Sequence, residues 1–391
     1  MISSITRHLC TSEGTTIRNS LKIMSTKYNT VPIRMASTDA EENVLLKTVG
    51  NSGLITLNRP KALNSLNTSM VRKVYTTLIE WENSKNLIII EGIGKAFCAG
   101  GDVKSLTLAI SEPNGQGAIL GQEFFREEYT LNHYIGKYKK PYIALIDGIT
   151  MGGGVGLSVH GKYRVATENT LFAMPETGIG LFPDVGGTYF LPRLENHLGY
   201  FLGLTGHRLK GIDVLLAGVA THYVPAEKIP ELKDALFKSN GNDVDIILKA
   251  FQPKLDQEFS LKSYLPLIEK CFSAPSVEAI IQRLNEDNSE WSKKVVNSLT
   301  KMSPTSLKIS KKAFDIGGKL DLGECLKMEY RLGCAALQKD SDFVEGVRAL
   351  LVDKDQNPKW NPKSLEEVTE EHINQQFAPL PQKRELLISK L

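Results

Sequence analysis

The 391-residue sequence has no long apolar run, since stretches such as Leu87 to Ile90 fall far short of the roughly 18–20 residues that a membrane helix needs. It also has too few charged residues (23%) and too many hydrophobic ones (41%) for a disordered chain. Its length fits about two domains at ~100–200 residues each. These figures predict a folded protein without a membrane-inserted segment.

The sequence is equally poor in residues arranged as metal ligands. Its five cysteines form no CxxC pair, and its seven histidines show no paired ligand spacing. We therefore expect neither a metal nor a redox cofactor. Cys10 lies near the N-terminus, and the other four cysteines are expected to be reduced, mostly buried thiols. These are Cys98, Cys271, Cys325 and Cys334.

Acidic residues are almost absent from residues 1–38, which contain Glu13 alone against five of the 47 basic residues. The same segment is rich in Ser and Thr and lacks the apolar core of a secretory signal, a composition typical of a mitochondrial transit peptide. A merely disordered basic N-terminus is the alternative. The remaining chain is close to neutral, which excludes a body built to bind nucleic acid.

Short apolar segments alternate with amphipathic ones along the first 230 residues. Strands are predicted near 54–57, 87–90, 142–146, 163–166 and 171–173, and a helix capped by Asn67 or Thr68 should run towards Asn83. This alternation predicts an α/β fold with buried parallel strands. Beyond residue 230 the pattern is helical without a strong strand. We therefore divide the chain into a leader (1–38), a catalytic core (39–230) and a mainly α-helical C-terminal region (231–391).

The glycine triplet at 152–154 follows a predicted strand and precedes a predicted helix. Backbone without side chains allows amide N–H groups to approach a ligand and stabilise developing negative charge, as in an oxyanion hole. For an isolated triplet, a tight packing turn would be the better interpretation. Neighbouring motifs fit no other site: residues 156–162 are one residue short of a phosphate loop, and Ser158 lacks the second glycine of a nucleophile elbow.

The triplet is accompanied by several further motifs in a fixed order, and together they resemble the crotonase (enoyl-CoA hydratase/isomerase) superfamily. The resemblance covers about residues 45–360 and implies a core of repeated ββα units in a spiral. It rests on the segments 57–64 (LNRPKALN), 97–104 (FCAGGDVK), 152–154 (GGG), 174–176 (MPE), 181–187 (LFPDVGG) and 342–346 (DFVEG).

One position indicates the branch within this superfamily. Its hydratases carry a glutamate two residues after the glycine triplet, and here that position is Gly156. Three segments instead look closely like the branch of mitochondrial thioesterases that act in valine breakdown on short 3-hydroxyacyl-CoA esters. These are 124–129 (FFREEY), 148–156 (GITMGGGVG) and 182–187 (FPDVGG).

The resemblance implies roles for five residues. Gly101 and Gly153 would donate backbone N–H groups to the thioester oxygen, with Gly153 also contacting the substrate. Glu176 would attack as nucleophile or activate water, and Asp184 would bond the substrate hydroxyl or share the proton transfer. Glu128 matches a substrate-contacting position, although by pattern alone it reads as a solvated helical charge.

The resemblance also implies a coenzyme A site at Lys61, Ala62, Leu63 and Lys104, where lysine suits phosphate. The expected partner is a small acyl-CoA substrate, and coenzyme A enters as part of it rather than as a cofactor. The oligomeric state, including a homo-oligomer, is left open, as is the choice between 3-hydroxyisobutyryl-CoA and 3-hydroxypropionyl-CoA. A hydratase or isomerase, or a non-catalytic assembly subunit of the same fold, are the alternatives.

Overall fold

A computed structural model describes residues 42–112 and 116–388. The predicted transit peptide at residues 1–38 lies outside the described residues and stays a prediction. Within the described part of the chain, none of the helices is long and apolar enough to cross a membrane. The four cysteines at 98, 271, 325 and 334 are all buried and free, as expected.

Ten strands form two sheets. The six-stranded sheet has the order β1-β2-β3-β5-β7-β10, with every neighbouring pair parallel except β1 and β2. The four-stranded sheet has the order β4-β6-β8-β9, and only β8 and β9 are antiparallel. The strands are β1 Val44–Val49, β2 Ser52–Leu57, β3 Leu87–Gly92, β4 Ala96–Cys98, β5 Tyr142–Ile146, β6 Ile149–Met151, β7 Tyr163–Ala166, β8 Leu171–Ala173, β9 Leu209–Lys210 and β10 His222–Tyr223.

Sixteen α-helices are present in the described residues, nine of them after residue 228. The first seven are α1 Thr68–Glu82, α2 Val103–Ser111, α3 Gly117–Lys137, α4 Gly153–Ser158, α5 Gly187–Phe190, α6 Leu198–Thr205 and α7 Ile212–Leu216. The others are α8 Ile229–Ser239, α9 Val244–Phe251, α10 Leu265–Phe272, α11 Val277–Asp287, α12 Glu290–Leu299, α13 Pro304–Gly317, α14 Leu322–Ala336, α15 Asp342–Val347 and α16 Glu370–Gln376.

The helix predicted after the first loop is α1, and Asn67 caps it. The Asn67 side chain accepts a hydrogen bond of 2.9 Å from the Met70 N–H, which satisfies one of the free donors of the first turn. The buried positions follow the three- and four-residue spacing read from the sequence, including Val74, Leu78 and Trp81. The helix prediction is therefore confirmed, with an end at Glu82.

The central strands of the larger sheet are buried on both faces, as predicted for parallel strands. Along β3, Ile88 and Ile90 join the main core, while Leu87 and Ile89 face a second apolar cluster. Successive side chains of a strand point to opposite faces, so this alternation shows cover on each side. Helices α8 and α9 supply the second cluster with Leu232, Leu236, Val244 and Leu248.

The smaller sheet gathers three segments that the sequence singled out. Strands β4, β6 and β8 are parallel neighbours, so their carboxyl ends lie along one edge. The first glycine turn follows β4, the glycine triplet follows β6, and the segment 174–176 follows β8. Pairing of short strands therefore brings together residues that are up to 75 positions apart in the sequence.

Beyond residue 228 the described chain contains no strand, as the sequence indicated. Apolar side chains of this helical region, among them Phe314, Leu326 and Phe343, belong to the same core cluster as the strands. Helix α14 packs along α3, and α13 packs against α5 and α6. The domain boundary near residue 230 stays a prediction. The predicted α/β architecture with a mainly α-helical C-terminal region is confirmed.

Candidate active site

A cavity of about 300 Å³ contains every residue to which the resemblance assigned a catalytic role or a direct contact with the acyl group. These are Gly101, Glu128, Gly153, Glu176 and Asp184. The wall also includes residues to which the sequence analysis assigned no role: Phe124, Phe125, Met151, Ile179, Leu181, Arg208, Leu350 and Leu351. The cavity is thus largely apolar, with three carboxyl groups and two glycine turns exposed to it.

The two glycine turns lie side by side because the strands before them pair, with Cys98 opposite Thr150. A Cβ atom built on Gly153 would lie 3.3 Å from the carbonyl carbon of Gly100. Gly100 has φ +115° and Gly152 has φ +46°, values that residues with side chains rarely adopt. Gly153 is the first residue of α4, where N–H groups have no acceptor within the helix.

Glu128 lies directly against the second turn. Its Oε1 would be 2.5 Å from a Cβ atom on Gly153, so only glycine leaves room for this carboxyl group. The residue is 2% exposed, and Oε1 has no hydrogen-bond partner among the described residues. Burial, and after it the negative charge of Asp184, raise the pKa of Glu128 well above its ordinary value. The solvated-charge interpretation of Glu128 is therefore wrong, because α3 turns the side chain into the cavity.

Glu176 opens the 3₁₀ helix Glu176–Ile179, three residues after β8 ends at Ala173. The side chain is 6% exposed, and within the described structure Oε2 has no hydrogen-bond partner. Oε1 would lie 3.1 Å from a Cβ atom on Gly152, so the carboxyl group borders the second glycine turn. Burial, together with the charge of Asp184, raises the pKa of Glu176 well above its usual range.

Asp184 is 5% exposed and accepts a hydrogen bond of 2.7 Å from the Tyr129 hydroxyl. Burial raises the pKa of Asp184 to about 6, and the Tyr129 hydrogen bond opposes this rise. The charge of Asp184 in turn favours the protonated forms of Glu128 and Glu176. Perturbed carboxyl groups in one cleft are typical of proton-transfer sites.

The loop carrying the predicted coenzyme A residues is bonded to the first glycine turn. The Leu63 carbonyl accepts the Ala99 N–H at 3.0 Å, and Leu66 exchanges hydrogen bonds of 2.8 Å with the Gly100 carbonyl and the Asp102 N–H. This pairing places the loop beside the start of α2. The loop after β2 and the mouth of the cavity are thus parts of one surface.

Lys61, Leu63 and Lys104 are exposed on that surface, and Ala62 is half-buried. None of the four lines the cavity itself. Their arrangement outside the cavity leaves the assignment to coenzyme A as a prediction. No group of three potential metal-ligating side chains occurs in residues 42–112 and 116–388, and the expectation of a metal-free enzyme is likewise a prediction.

Tyr129, Arg208, Leu350 and Leu351 were not identified as site residues from the sequence. Tyr129 is 55 positions from the carboxyl group that it bonds, so no local pattern connects the two. Leu350 and Leu351 belong to a π-helical turn, Arg348–Val352, which reaches the cavity from the far end of the chain. Arg208 is the basic residue among the lining side chains and is exposed. A π-helical turn is often found at functional sites but has no sequence signature.

The family comparison agrees with this geometry. Residues 52–377 match the family described as "Enoyl-CoA hydratase/isomerase". The chain belongs to this family. Among the described elements, the match covers every strand except β1 and all sixteen α-helices.

Curated relatives are similar over nearly the whole chain. A Xenopus tropicalis protein named "3-hydroxyisobutyryl-CoA hydrolase, mitochondrial" is 55% identical over 347 residues, covering 86% of this chain and 89% of the relative. A Homo sapiens protein of the same name is 52% identical over 359 residues, covering 89% and 92%. The resemblance to the thioesterase branch is therefore confirmed.

Solved structures of the family have the same fold. The chain is 38% identical to a carnitinyl-CoA dehydratase from Mycobacterium thermoresistibile, with a TM-score of 0.82 and coverage of 90% of this chain and 100% of the other. It is 34% identical to an enoyl-CoA hydratase from Rhodobacter sphaeroides, with a TM-score of 0.81 and coverage of 88% and 100%.

Proposed function

We propose that the protein is a thioesterase that hydrolyses 3-hydroxyisobutyryl-CoA to 3-hydroxyisobutyrate and free coenzyme A in valine breakdown. The observation that carries the proposal is the cavity itself, in which Glu176 and Asp184 lie buried beside paired glycine turns. Relatives that are 52–55% identical bear the name of this hydrolase. 3-Hydroxypropionyl-CoA, which lacks only a methyl group, is a second substrate of the same cavity.

The glycine turns stabilise the oxyanion. Attack on the thioester turns its carbonyl oxygen into an oxyanion, and the Gly101 and Gly153 N–H groups donate to it. Each such donor is worth ~3–4 kcal/mol in the transition state. The apolar wall strengthens this stabilisation because it excludes water.

Glu176 drives the attack in one of two ways. As a base, it takes a proton from water while the water oxygen bonds to the carbonyl carbon; the C–S bond then breaks and the sulfur leaves as a thiol after protonation. As a nucleophile, it bonds to the carbonyl carbon and forms an anhydride while the C–S bond breaks and the sulfur leaves as a thiol after protonation; water then hydrolyses the anhydride and restores the Glu176 carboxylate. Either path needs ionised Glu176, so the raised pKa of this group has to fall when substrate binds.

Asp184 binds the 3-hydroxyl group of the substrate or shares the proton transfer. Its pKa of about 6 keeps it mostly ionised near neutral pH, and an ionised carboxylate accepts a hydrogen bond from a hydroxyl. Burial and the charge of Asp184 raise the pKa of Glu128, which favours its protonated form, and in that form it donates a hydrogen bond to the acyl group. Outside the cavity, Lys61 and Lys104 attract the phosphates of coenzyme A.

A hydratase is the second candidate function, since solved relatives of known fold are named hydratase and dehydratase. Adding water across a double bond uses two carboxyl groups, and the resemblance places one of them at position 156. A Cβ atom on Gly156 would lie 2.7 Å from Asn132 Nδ2 and 2.7 Å from Val185 Cβ. No longer side chain fits there, and this observation favours the hydrolase.

The deciding experiment measures free thiol release from 3-hydroxyisobutyryl-CoA, 3-hydroxypropionyl-CoA and isobutyryl-CoA, and hydration of crotonyl-CoA, with the same enzyme. We expect thiol release to be fastest with the two hydroxylated esters and crotonyl-CoA hydration to be slow or absent. Faster hydration would establish the second candidate. Absence of both reactions, with acyl-CoA binding retained, would indicate the non-catalytic assembly subunit.

The relatives indicate a mitochondrial location. They are named mitochondrial, and the basic, acid-poor composition of residues 1–38 supports import into the matrix as part of the proposal.

A further inference from the structure

Asp184 is followed by a strained turn. Val185 is 1% exposed and has φ +51°, and Gly186 has φ +83°. Glycine adopts such values freely, but for a β-branched residue a positive φ is an outlier. Conformations of this kind persist only where the surrounding structure holds them, and they cluster at functional sites. Something in this protein must therefore hold residue 185.

Both polar groups of the peptide bond between Val185 and Gly186 are bonded to side chains, one from the half-buried His160 and one from the buried Glu329. On one side, Nε2 of His160 donates to the Val185 carbonyl at 2.7 Å. On the other, Oε2 of Glu329 accepts the Gly186 N–H at 2.7 Å. Burial lowers the pKa of His160 to about 4, so the ring is neutral, and its bond to a carbonyl requires the proton on Nε2.

The second oxygen of Glu329 holds the next part of the turn. Oε1 accepts the Thr188 N–H at 3.0 Å and the Thr188 hydroxyl at 2.6 Å. Glu329 is 0% exposed and comes from α14, 141 positions further along the chain. One carboxyl group thus fixes the backbone on both sides of Gly187, immediately after Asp184.

We propose that Glu329, together with His160, is a positioning residue that clamps the 185–186 peptide and so aims the Asp184 carboxyl group into the cavity. This inference rests on the proposed function, because Asp184 has its role there. Without the clamp, Val185 can relax to negative φ, and the direction of the preceding residue changes with it. Glu329 itself does not line the cavity.

The electrostatics fit a role linked to Asp184 better than a role in packing alone. A buried carboxyl group is a poor packing element, since an apolar residue of similar size often stabilises a core as well or better. Burial raises the pKa of Glu329 to about 8, and the charge of Asp184 contributes to the rise. Glu329 also contributes to the raised pKa of Tyr129, the other residue that holds Asp184.

The test compares Glu329→Gln with Asp213→Asn. Both carboxyl groups accept hydrogen bonds from backbone N–H and hydroxyl groups. Glu329 accepts two N–H groups and one hydroxyl, whereas Asp213 accepts the N–H and the hydroxyl of Ser260 at 3.0 and 2.5 Å and lies outside the cavity wall. We expect Glu329→Gln to lower kcat/KM for thiol release from 3-hydroxyisobutyryl-CoA at least tenfold, and Asp213→Asn to leave it within twofold. Circular dichroism and Tm report whether each variant is folded.

A double-mutant cycle separates positioning from general stability. If Glu329 acts through Asp184, adding Glu329→Gln to Asp184→Asn should cost less than twofold in rate, measured in single turnovers with enzyme in excess. Thr188→Val, which removes one donor to Glu329 without changing the side-chain volume much, should show a smaller loss that also vanishes in the Asp184→Asn background. This variant serves if Glu329→Gln does not fold.

Three results would overturn the inference while the proposed function stands. In the first, the wild type is active and the Glu329→Gln variant is folded and fully active. In the second, Glu329→Gln lowers kcat/KM by the same factor in the wild type and in the Asp184→Asn background. In the third, Asp213→Asn lowers kcat/KM as much as Glu329→Gln does. A wild-type enzyme that releases no thiol would instead contradict the proposed function.

Discussion

The Tyr129 hydroxyl donates a hydrogen bond of 2.7 Å to Oδ2 of Asp184, and both side chains are buried. Tyr129 follows Glu128 on α3, so this helix provides both the Glu128 carboxyl group and the hydroxyl that binds Asp184. The hydrogen bond stabilises the ionised form of Asp184 against the effect of burial. It therefore sets the pH range in which Asp184 is charged.

Tyr129→Phe should shift the acidic limb of the kcat/KM profile to higher pH. The variant loses a hydrogen bond to a charged group, worth about 1.5 kcal/mol, so the pKa of Asp184 should rise by about one unit from about 6. Activity should fall about fivefold at pH 6 and recover above pH 8. Tyr134→Phe, on the same helix but bonded to Glu82, is the control. An unshifted limb would mean that the ionised form of Asp184 is not required.

Two substitutions of Gly153 should distinguish the effect of its N–H group from the effect of its missing side chain. Gly153→Ala keeps the donor but places Cβ 2.5 Å from Glu128 Oε1, so it should disturb Glu128 and lower kcat. Gly153→Pro adds loss of the donor, and proline is tolerated at the first position of a helix. We expect kcat to fall a further ~100-fold from Ala to Pro. Equal rates for the two variants would contradict the oxyanion role.

Much of this site could be predicted because its parts are short, local patterns. Glycine turns, a carboxyl group after a strand and buried apolar strands are visible in the sequence, and β5 and β8 have the predicted bounds. The strands β4 and β6 were missed, since three residues are too few to show a periodicity. The half-exposed strand β1 was also missed.

The contacts that tune the site could not be predicted in the same way. Tyr129 with Asp184, and Glu329 with Gly186, join residues 55 and 143 positions apart. Their pairing depends on how α3 and α14 pack, which no local pattern contains. Leu350 and Leu351 reach the cavity only because a π-helical turn redirects the chain there.

Residues 1–38 should direct import and should not be needed for activity. A chain beginning at Ala40 should fold and hydrolyse the substrate with unchanged kcat, because the first described strand begins only at Val44. Fused to a fluorescent protein, residues 1–38 should target it to mitochondria, whereas the same segment with its five basic residues changed to Gln should not. Loss of folding on truncation would show that the segment is structural.

Stability should respond to pH with opposite signs in two variants. The pKa of Asp184 is raised from 3.8 to about 6 in the folded protein, so ionisation of Asp184 lowers the free energy of unfolding by about 3 kcal/mol. This loss of stability grows between pH 4 and 6 and is complete above pH 6. Asp184→Asn should therefore raise Tm by a few degrees at pH 8 and leave it unchanged near pH 4.

Glu345→Gln provides the contrast, because hydrogen bonds from Arg348 lower the pKa of Glu345. An acid with a lowered pKa stabilises the fold above its ordinary pKa of 4.5 and loses this effect as the pH falls through the folded value. Glu345→Gln should therefore lower Tm at pH 8, and the difference should shrink in acid. Thermal unfolding at both pH values measures the two signs, and a Tm loss for Asp184→Asn at pH 8 would contradict the buried-charge argument.

Glu176 and Asp184 are expected to have different roles in catalysis. Glu176→Gln keeps the size of the side chain but can neither attack nor take a proton, so thiol release should fall at least 1,000-fold while acyl-CoA binding survives. Glu127→Gln, a neighbour of Glu128 that pairs with Arg72 outside the cavity, should leave kcat unchanged. A fully active Glu176→Gln variant would exclude this mechanism.

Asp184→Asn distinguishes the two roles open to that residue. If Asp184 binds the 3-hydroxyl group, the variant should lose about 10–100-fold on 3-hydroxyisobutyryl-CoA and far less on isobutyryl-CoA, which has no hydroxyl to bind. Equal losses on the two esters would instead assign Asp184 to proton transfer. Because both esters carry the same coenzyme A, the ratio of their kcat/KM values cancels any change in binding outside the cavity and reports on the acyl group alone.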